Sequence, residues 1–244
     1  VIYACEHHDE MLSHWRRLEL REIALAHVDF HDDLRGLLVH RRRGVAYPIG
    51  RLARERGSVD SGNFLAHAVL EKRLRKVRWV HGRVGGRAWD AGIVRYESDL
   101  FAMHHRLRHR LARGGEFPLE FEETWLESWQ GPQQGDLLSV DWDCFASTLL
   151  DAGGVAARVD DFFSRLGTVT PRDTWVAYSP EYSHPTLPAF GGFVARLGQR
   201  FAQPVEWLST GLREGRLSPT DSCAEPRRDL LMRLVLFLRR NGIY

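Results

Sequence analysis

Asp29, His31 and Asp33 occupy every second position just past the apolar run Ile23-Ala24-Leu25. In an extended chain, residues two apart face the same side. The spacing therefore aims a carboxylate, an imidazole and a second carboxylate at one point, at the carboxyl end of a strand. Open α/β sheets place their ligand sites there. Asp141 and Asp143, again two apart, follow the apolar stretch Leu137-Leu138-Ser139-Val140, and His7-His8 follows residues 1–5, a third strand candidate. Four carboxylates converging at one sheet edge would repel each other unless cations held them. An oxygen-rich set supplemented by histidine suits Mn²⁺ first, then Fe²⁺, Co²⁺ or Zn²⁺. Shared carboxylates could bridge two ions roughly 3.5 Å apart, as in two-metal hydrolases.

The elements that must position these groups follow from periodicity. Residues 1–5 read as a strand, and Met11, Leu12, Trp15 and Leu18 fall on one face of a helix whose first turn is acidic. With a second strand over 23–28 this is a βαβ unit of a parallel sheet. Residues 35–57 form a Gly/Arg-rich connection without a clear pattern, and 58–63 hold several helix-cap candidates. A helix is predicted over 64–74 and a strand over 76–81. A hairpin around 91–96, a helical turn near His104 and a strand within 117–125 follow, and 130–135 is a surface loop. Beyond the 137–140 strand come a helix over 155–166, a strand over 174–178, and helices over 190–201 and 228–239.

The chain has 244 residues, 43% of them hydrophobic, which suits one α/β domain over residues 1–244. Its longest apolar run, 230–238, is interrupted by Arg233 and is far short of the roughly 20 residues that cross a bilayer, so no membrane partner is expected. No segment at the start reads as a signal peptide. A net charge of +2 gives no reason to expect nucleic acid. The arginine-rich stretches 41–43 and 106–113 read as solvated faces, with an acidic partner as the alternative. Cys5, Cys144 and Cys223 are scattered, without metal or disulfide spacing, and point to a reducing cytoplasm.

These motifs resemble the arginase–deacetylase superfamily in its ureohydrolase branch: a DxHxD after one strand, a DxD after a later one, and an upstream histidine at a strand-to-helix turn. Glu6-His7-His8-Asp9-Glu10-Met11-Leu12, His27-Val28-Asp29-Phe30-His31-Asp32-Asp33-Leu34, Gly62-Asn63-Phe64, Val77-Arg78-Trp79-Val80, Ser139-Val140-Asp141-Trp142-Asp143 and Ser179-Pro180-Glu181-Tyr182 are similar to a small arginase-related family. That family includes the peptide arginases of ribosomal natural-product pathways. The resemblance spans residues 4 to about 182.

The resemblance implies an arginase-like three-layer α/β/α fold and two Mn²⁺ ions. One ion would be held by His8, Asp29, Asp33 and Asp141, the other by Asp29, His31, Asp141 and Asp143, with Asp29 and Asp141 bridging. His8 is preferred over His7 from the relatives' turn pattern. Phe30 and Trp142, between ligands, would point into the packing. A metal-bridging hydroxide would attack the guanidinium carbon, and Asp33 would pass a proton to the departing amine. Glu181 is the candidate for gripping the guanidinium bidentately, with starting a helix as its other role. Asn63 would orient substrate or cap a helix, and His40 and His67 are the two candidates for a proton shuttle. Asp32 has no assigned role.

The chain departs from arginases of free arginine. The DxD continues as Cys144-Phe145, without the ureohydrolase Gly-Leu-Asp-Pro, and the loop after Asp33 lacks their Asn and Ser pattern for gripping an amino acid. The implied activity is therefore a peptide arginase, turning arginine side chains of a precursor peptide into ornithine with release of urea. The alternatives are an amidinohydrolase or deacylase acting on a small molecule, and a non-catalytic binding module stabilised by metal.

Overall fold

The computed structural model describes residues 1–48, 52, 57–81, 115–147 and 152–217. The expected hairpin near 91–96, the turn near His104, the arginine-rich stretch 106–113, the helix over 228–239 and Cys223 lie outside the described residues.

Among the described residues seven strands form the main sheet, in the order β10 (Val205–Trp207), β1 (Ile2–Cys5), β9 (Thr174–Ala177), β8 (Leu137–Asp141), β2 (Ile23–Val28), β5 (Leu74–His81) and β7 (Glu120–Trp125). Every pairing in it is parallel. Alternation along the strands divides the core into two layers. Tyr3, Leu25, Val77, Trp79, Leu137 and Trp175 face helix α1 (Glu10–Arg17) and helix α2 (Phe64–Leu70), meeting Met11, Leu12, Trp15 and Phe64. Ile2, Ala4, Ala26, Val28, Leu138, Val140 and Val176 face the other way, against Phe145 of helix α3 (Asp143–Ala146), Phe162 of helix α4 (Val155–Arg165) and Phe190, Phe193 and Leu197 of helix α5 (Leu187–Phe201). The result is the expected three-layer α/β/α arrangement with a mainly parallel sheet.

The crossover helices change face where the strand order reverses. Connections through α1 and α2 cover one face, and those through α4 and α5 cover the other. The reversal falls between β2 and β8, so their carboxyl ends border the crevice in which such sheets bind ligands.

Several expectations are corrected. The connection over 35–57 contains an antiparallel pair, β3 (Leu37–His40) and β4 (Val45–Pro48). The strand expected within 117–125 is two strands: β6 (Phe117–Pro118) extends that small sheet and β7 joins the large one, with buried Leu119 between them. Helix α2 stops at Leu70, and Leu74 already begins β5. Leu18 is 46% exposed at the end of α1 instead of lying on its buried face. Both helix ends close by the same pair of bonds: Leu20 and Glu19 donate to Trp15 and Arg16 carbonyls, and Arg73 and Lys72 to Ala68 and Val69 carbonyls. This closure needs a left-handed residue, here Glu19 (φ 52°) and Lys72 (φ 55°). Neither is the usual glycine, so the stops carry no glycine signal. Strand β10 and the short helix α6 (Thr210–Arg213) complete the described chain. Among the described residues no helix is long and apolar enough to cross a membrane.

Candidate metal centre

Strand register lines up the site. Cys5 pairs with Ala177, Ala177 with Asp141, and Val28 with Val140, so Asp29 stands level with Asp141 one strand away. His27, Asp29, Ser139 and Asp141 share the parity of Leu25 and Leu137, so they face the layer of α1 and α2. His8 comes from the turn between β1 and α1. Glu10 shapes that turn: its Oε1 accepts the N–H groups of Glu6 at 3.1 Å and His7 at 2.8 Å.

Beyond the strands, alternation no longer places the ligands. Strand β2 ends at Val28, and Asp33 has φ 50°. What works there is the side chain of each leading aspartate. Asp29 Oδ1 accepts the His31 N–H at 2.7 Å, and Asp141 Oδ1 accepts the Asp143 N–H at 3.2 Å. Each bond bends the chain two residues on, as aspartate does in turns. The second ligand of each pair is thus folded back toward the first. Asp32 repeats the device, its Oδ1 accepting the Leu34 N–H at 3.1 Å. Between the ligands, Phe30 and Trp142 are buried in opposite layers, and Trp142 Nε1 donates to Thr186 Oγ1 at 2.8 Å.

The polar atoms meet in a buried, crowded space. His8 Nδ1 lies 3.1 Å from Asp29 Oδ2, 3.2 Å from Asp33 Oδ2 and 3.1 Å from Asp141 Oδ2. His27 Nε2 lies 3.3 Å from Asp29 Oδ2 and 3.6 Å from Asp33 Oδ2. His31 Nδ1 lies 3.1 Å from Asp143 Oδ2 and 3.9 Å from Asp29 Oδ1. His8, His27, Asp29 and Asp143 are fully buried, and Asp33 and Asp141 nearly so. Ser179, itself left-handed at φ 48°, donates to Asp141 Oδ2 at 2.7 Å. Ser139 Oγ lies 2.8 Å from His8 Nε2 and 3.3 Å from His27 Nδ1, and it donates to Met11 Sδ at 3.4 Å.

Despite this proximity, His8 Nδ1, His27 Nε2, Asp29 Oδ2, Asp33 Oδ2 and Asp143 Oδ1 have no hydrogen-bond partner among the described residues. Burying such atoms unpaired costs roughly 1–3 kcal/mol each, more when charged. One cation among them would satisfy several at once. Ligand atoms about 2.1 Å from an ion sit roughly 3.0–3.4 Å apart at octahedral and tetrahedral angles, close to the spacings here. Among the described residues two sets of possible ligands come together, His8, His27 and Asp29 in one and Asp29, His31 and Asp143 in the other. Asp29 belongs to both. The donor set therefore fits a pair of divalent cations.

Without cations, protons carry the electrostatic load. Burial pushes the Asp29 carboxyl well up, and the charges of Asp33, Asp143 and Asp141 push it further. Burial and the neighbouring Asp143 raise Asp141 to about 6. For His8, burial favours the neutral ring, but the carboxylates of Asp141, Asp29 and Asp33 outweigh it and hold the ring well above its ordinary value. Burial lowers His27 to about 3. Burial would raise Asp33 too, yet its contact with His8 brings it below the usual carboxylate range.

The remaining candidates separate clearly. His7 is not in the cluster. Its Nδ1 meets Glu181 Oε1 at 3.1 Å, and that bond outweighs burial and lifts the ring to about 9. Asn63 sits at the first cap position of α2 but makes no side-chain cap bond. Its amide is spent in its own loop instead: Oδ1 accepts the Asp60 N–H at 2.9 Å, and Nδ2 donates to the Ser58 carbonyl at 3.0 Å and to Asp60 Oδ2 at 3.2 Å. His40 ends β3 on the surface and His67 is buried in α2. Among the described residues no hydrogen bond or ion pair joins either to the carboxylates. Sequence reasoning passed over His27, Ser139 and Ser179. The signal was present for the first two: each lies two residues before a ligand aspartate, on the same face.

No protein-family model matches the chain, and no curated protein matches it. Among solved structures, the chain is similar to the proclavaminate amidino hydrolase from Streptomyces clavuligerus, with 16% identity and a TM-score of 0.47, over 82% of this chain and 64% of that one. The chain thus spans less than two thirds of that enzyme's length. A likeness of this degree assigns no chemistry.

Proposed function

We propose that the protein is a dimanganese peptide arginase, hydrolysing arginine side chains of a ribosomally made precursor peptide to ornithine and urea. The observation that carries a two-cation hydrolase is the set of buried, unpaired ring nitrogens and carboxylate oxygens in two groups that share Asp29. His8, Asp29, Asp33 and Asp141 would hold one ion, and Asp29, His31, Asp141 and Asp143 the other. Such ions supply a water acidic enough to lose its proton near neutral pH.

The chain's own residues do the rest. Glu181 receives the guanidinium, and its contact with His7 supports this role because it holds the carboxylate beside the turn that carries His8. Attack forms a bond from the water oxygen to the guanidinium carbon and breaks the bond from that carbon to the side-chain nitrogen. Asp33 takes up a proton that the attacking water gives up and delivers it to that nitrogen, which leaves as the ornithine amine, and the remainder leaves as urea. Ser179 keeps Asp141 turned toward the cluster. A peptide substrate is favoured over free arginine because the amino-acid-gripping residues after Asp33 and the Gly-Leu-Asp-Pro after the DxD are missing. Cys5 and Cys144 are buried and in no disulfide, which suits a cytoplasmic setting.

The test is mass spectrometry of arginine-containing peptides co-expressed with the protein. Each modified arginine should lose ~42 Da with urea released, as hydrolysis by a two-metal site requires, and Asp29→Ala should abolish the change. If peptides and free arginine stay unmodified while the Mn²⁺-loaded protein is folded, the proposal fails.

A further inference from the structure

We infer that His27 is itself a metal ligand, through Nε2, completing a nitrogen-rich position with His8, Asp29 and Asp33. This rests on the two-cation reading and adds a residue to it. The tautomers follow from counting protons. Ser139 has one hydroxyl proton, which a metal-loaded site would direct to Met11 Sδ at 3.4 Å, an atom that can only accept. The serine oxygen must then accept from both rings it touches, His8 Nε2 at 2.8 Å and His27 Nδ1 at 3.3 Å. Each neutral imidazole has a single N–H. With both rings neutral, as metal ligands must be, that leaves His8 Nδ1 and His27 Nε2 as lone pairs, both turned toward Asp29 Oδ2 and Asp33 Oδ2. Lone pairs aimed at carboxylate oxygens in a buried space repel unless a cation lies between them.

The distances agree. His27 Nε2 stands 3.3 and 3.6 Å from the two oxygens, beyond most N–H···O bonds but at the spacing of atoms sharing one ion. Its ring stacks with that of His8, their centroids 5.3 Å apart, and Phe64 meets both rings. The rings are thus set in place before any ion arrives. One position would have two imidazoles, the other only that of His31. Imidazole ligation suits Zn²⁺ and Co²⁺ better than Mn²⁺. The two positions should therefore differ in metal preference, the His27 position keeping Zn²⁺ or Co²⁺ more tenaciously.

The decisive measurement uses wild-type protein labelled with ¹⁵N-histidine and titrated with Zn²⁺. Three imidazoles, those of His8, His27 and His31, should show a ligating nitrogen shift on loading. If His27 keeps its metal-free shift while the other two move, it is only a packing residue and the inference is overturned. Binding of no ion at all by the wild type would instead sink the two-cation reading. As a second measurement, His27→Phe keeps the ring contacts and removes the ligand. It should weaken one Zn²⁺ site by more than the ~10–100-fold typical of losing an outer-shell partner. Two sites of unchanged affinity would again overturn the inference.

Discussion

His7 Nδ1 and Glu181 Oε1 lie 3.1 Å apart and tie the turn after β1 to the loop after β9. The same loop holds Ser179, which reaches Asp141, and the same turn holds His8. Under the proposed function, substrate capture and cation binding would be built on one pair of segments. If Glu181 receives the guanidinium, Glu181→Gln removes a charge-assisted bond worth about 1.5–3 kcal/mol. The KM for an arginine-containing peptide should rise roughly 10–150-fold by that energy, with metal content unchanged. A KM equal to wild type would remove Glu181 from the site.

The two groups of residues that could hold a cation share Asp29. Asp29→Ala should therefore release both ions, whereas His31→Ala should weaken one and leave the other. Metal analysis after gel filtration in Mn²⁺ decides this. Loss of a single ion from Asp29→Ala would show that the aspartate does not bridge.

Ser179 fixes one oxygen of Asp141 at 2.7 Å. Outer-shell partners of this kind are worth about 10–100-fold in metal affinity. Ser179→Ala should cost that much in a calorimetric Mn²⁺ titration, with little change in the circular dichroism spectrum. An unaltered affinity would reduce the hydroxyl to filling space.

The cluster also sets a pH dependence for the metal-free protein. Asp141 is raised to about 6, so its stabilising proton is gone above that value. His27 is lowered to about 3, so it costs stability only below about 6.5, where the unfolded ring is charged. Above 6.5 the remaining groups act with one sign. His8 and Asp29 are raised well above their ordinary values, and His7 to about 9, so the folded state keeps protons that the unfolded chain releases. Stability is present at pH 6.5 and falls as pH rises toward 9. The melting temperature of chelator-treated protein should fall over that range. Saturating Mn²⁺ should remove most of the slope, because cations replace the protons on the cluster. A flat metal-free profile would contradict the assigned pKa directions.

Much of this was legible in the chain. Strands β1, β2, β8 and β9 are short apolar runs bounded by polar turns, and the aspartates that follow two of them stand out against their neighbours. His27 and Ser139 were hidden because they sit inside those apolar runs, where a polar residue reads as an interruption. The turns after Asp29 and Asp141 imitate strand alternation: an Asp side chain bonding two residues on leaves the same i, i+2 spacing as an extended chain. Helix ends were misjudged where Glu19 and Lys72 adopt the left-handed conformation ordinarily marked by glycine. The small sheet β3–β4–β6 escaped notice because its strands are short and joined by only two registered pairs at β6.

Strand β8 lies between β2 and β9, and the ligands it brings stand 112 residues beyond those of β2, as His31 and Asp143 do. Contacts between such distant stretches form late, since a long loop must close first. Until β8 enters the sheet, no pocket joins the carboxylates, and the chain offers an ion only scattered, weak partners. If the cluster binds cations as proposed, tight uptake would mark the arrival of that one strand, and a time course of uptake during refolding would follow it.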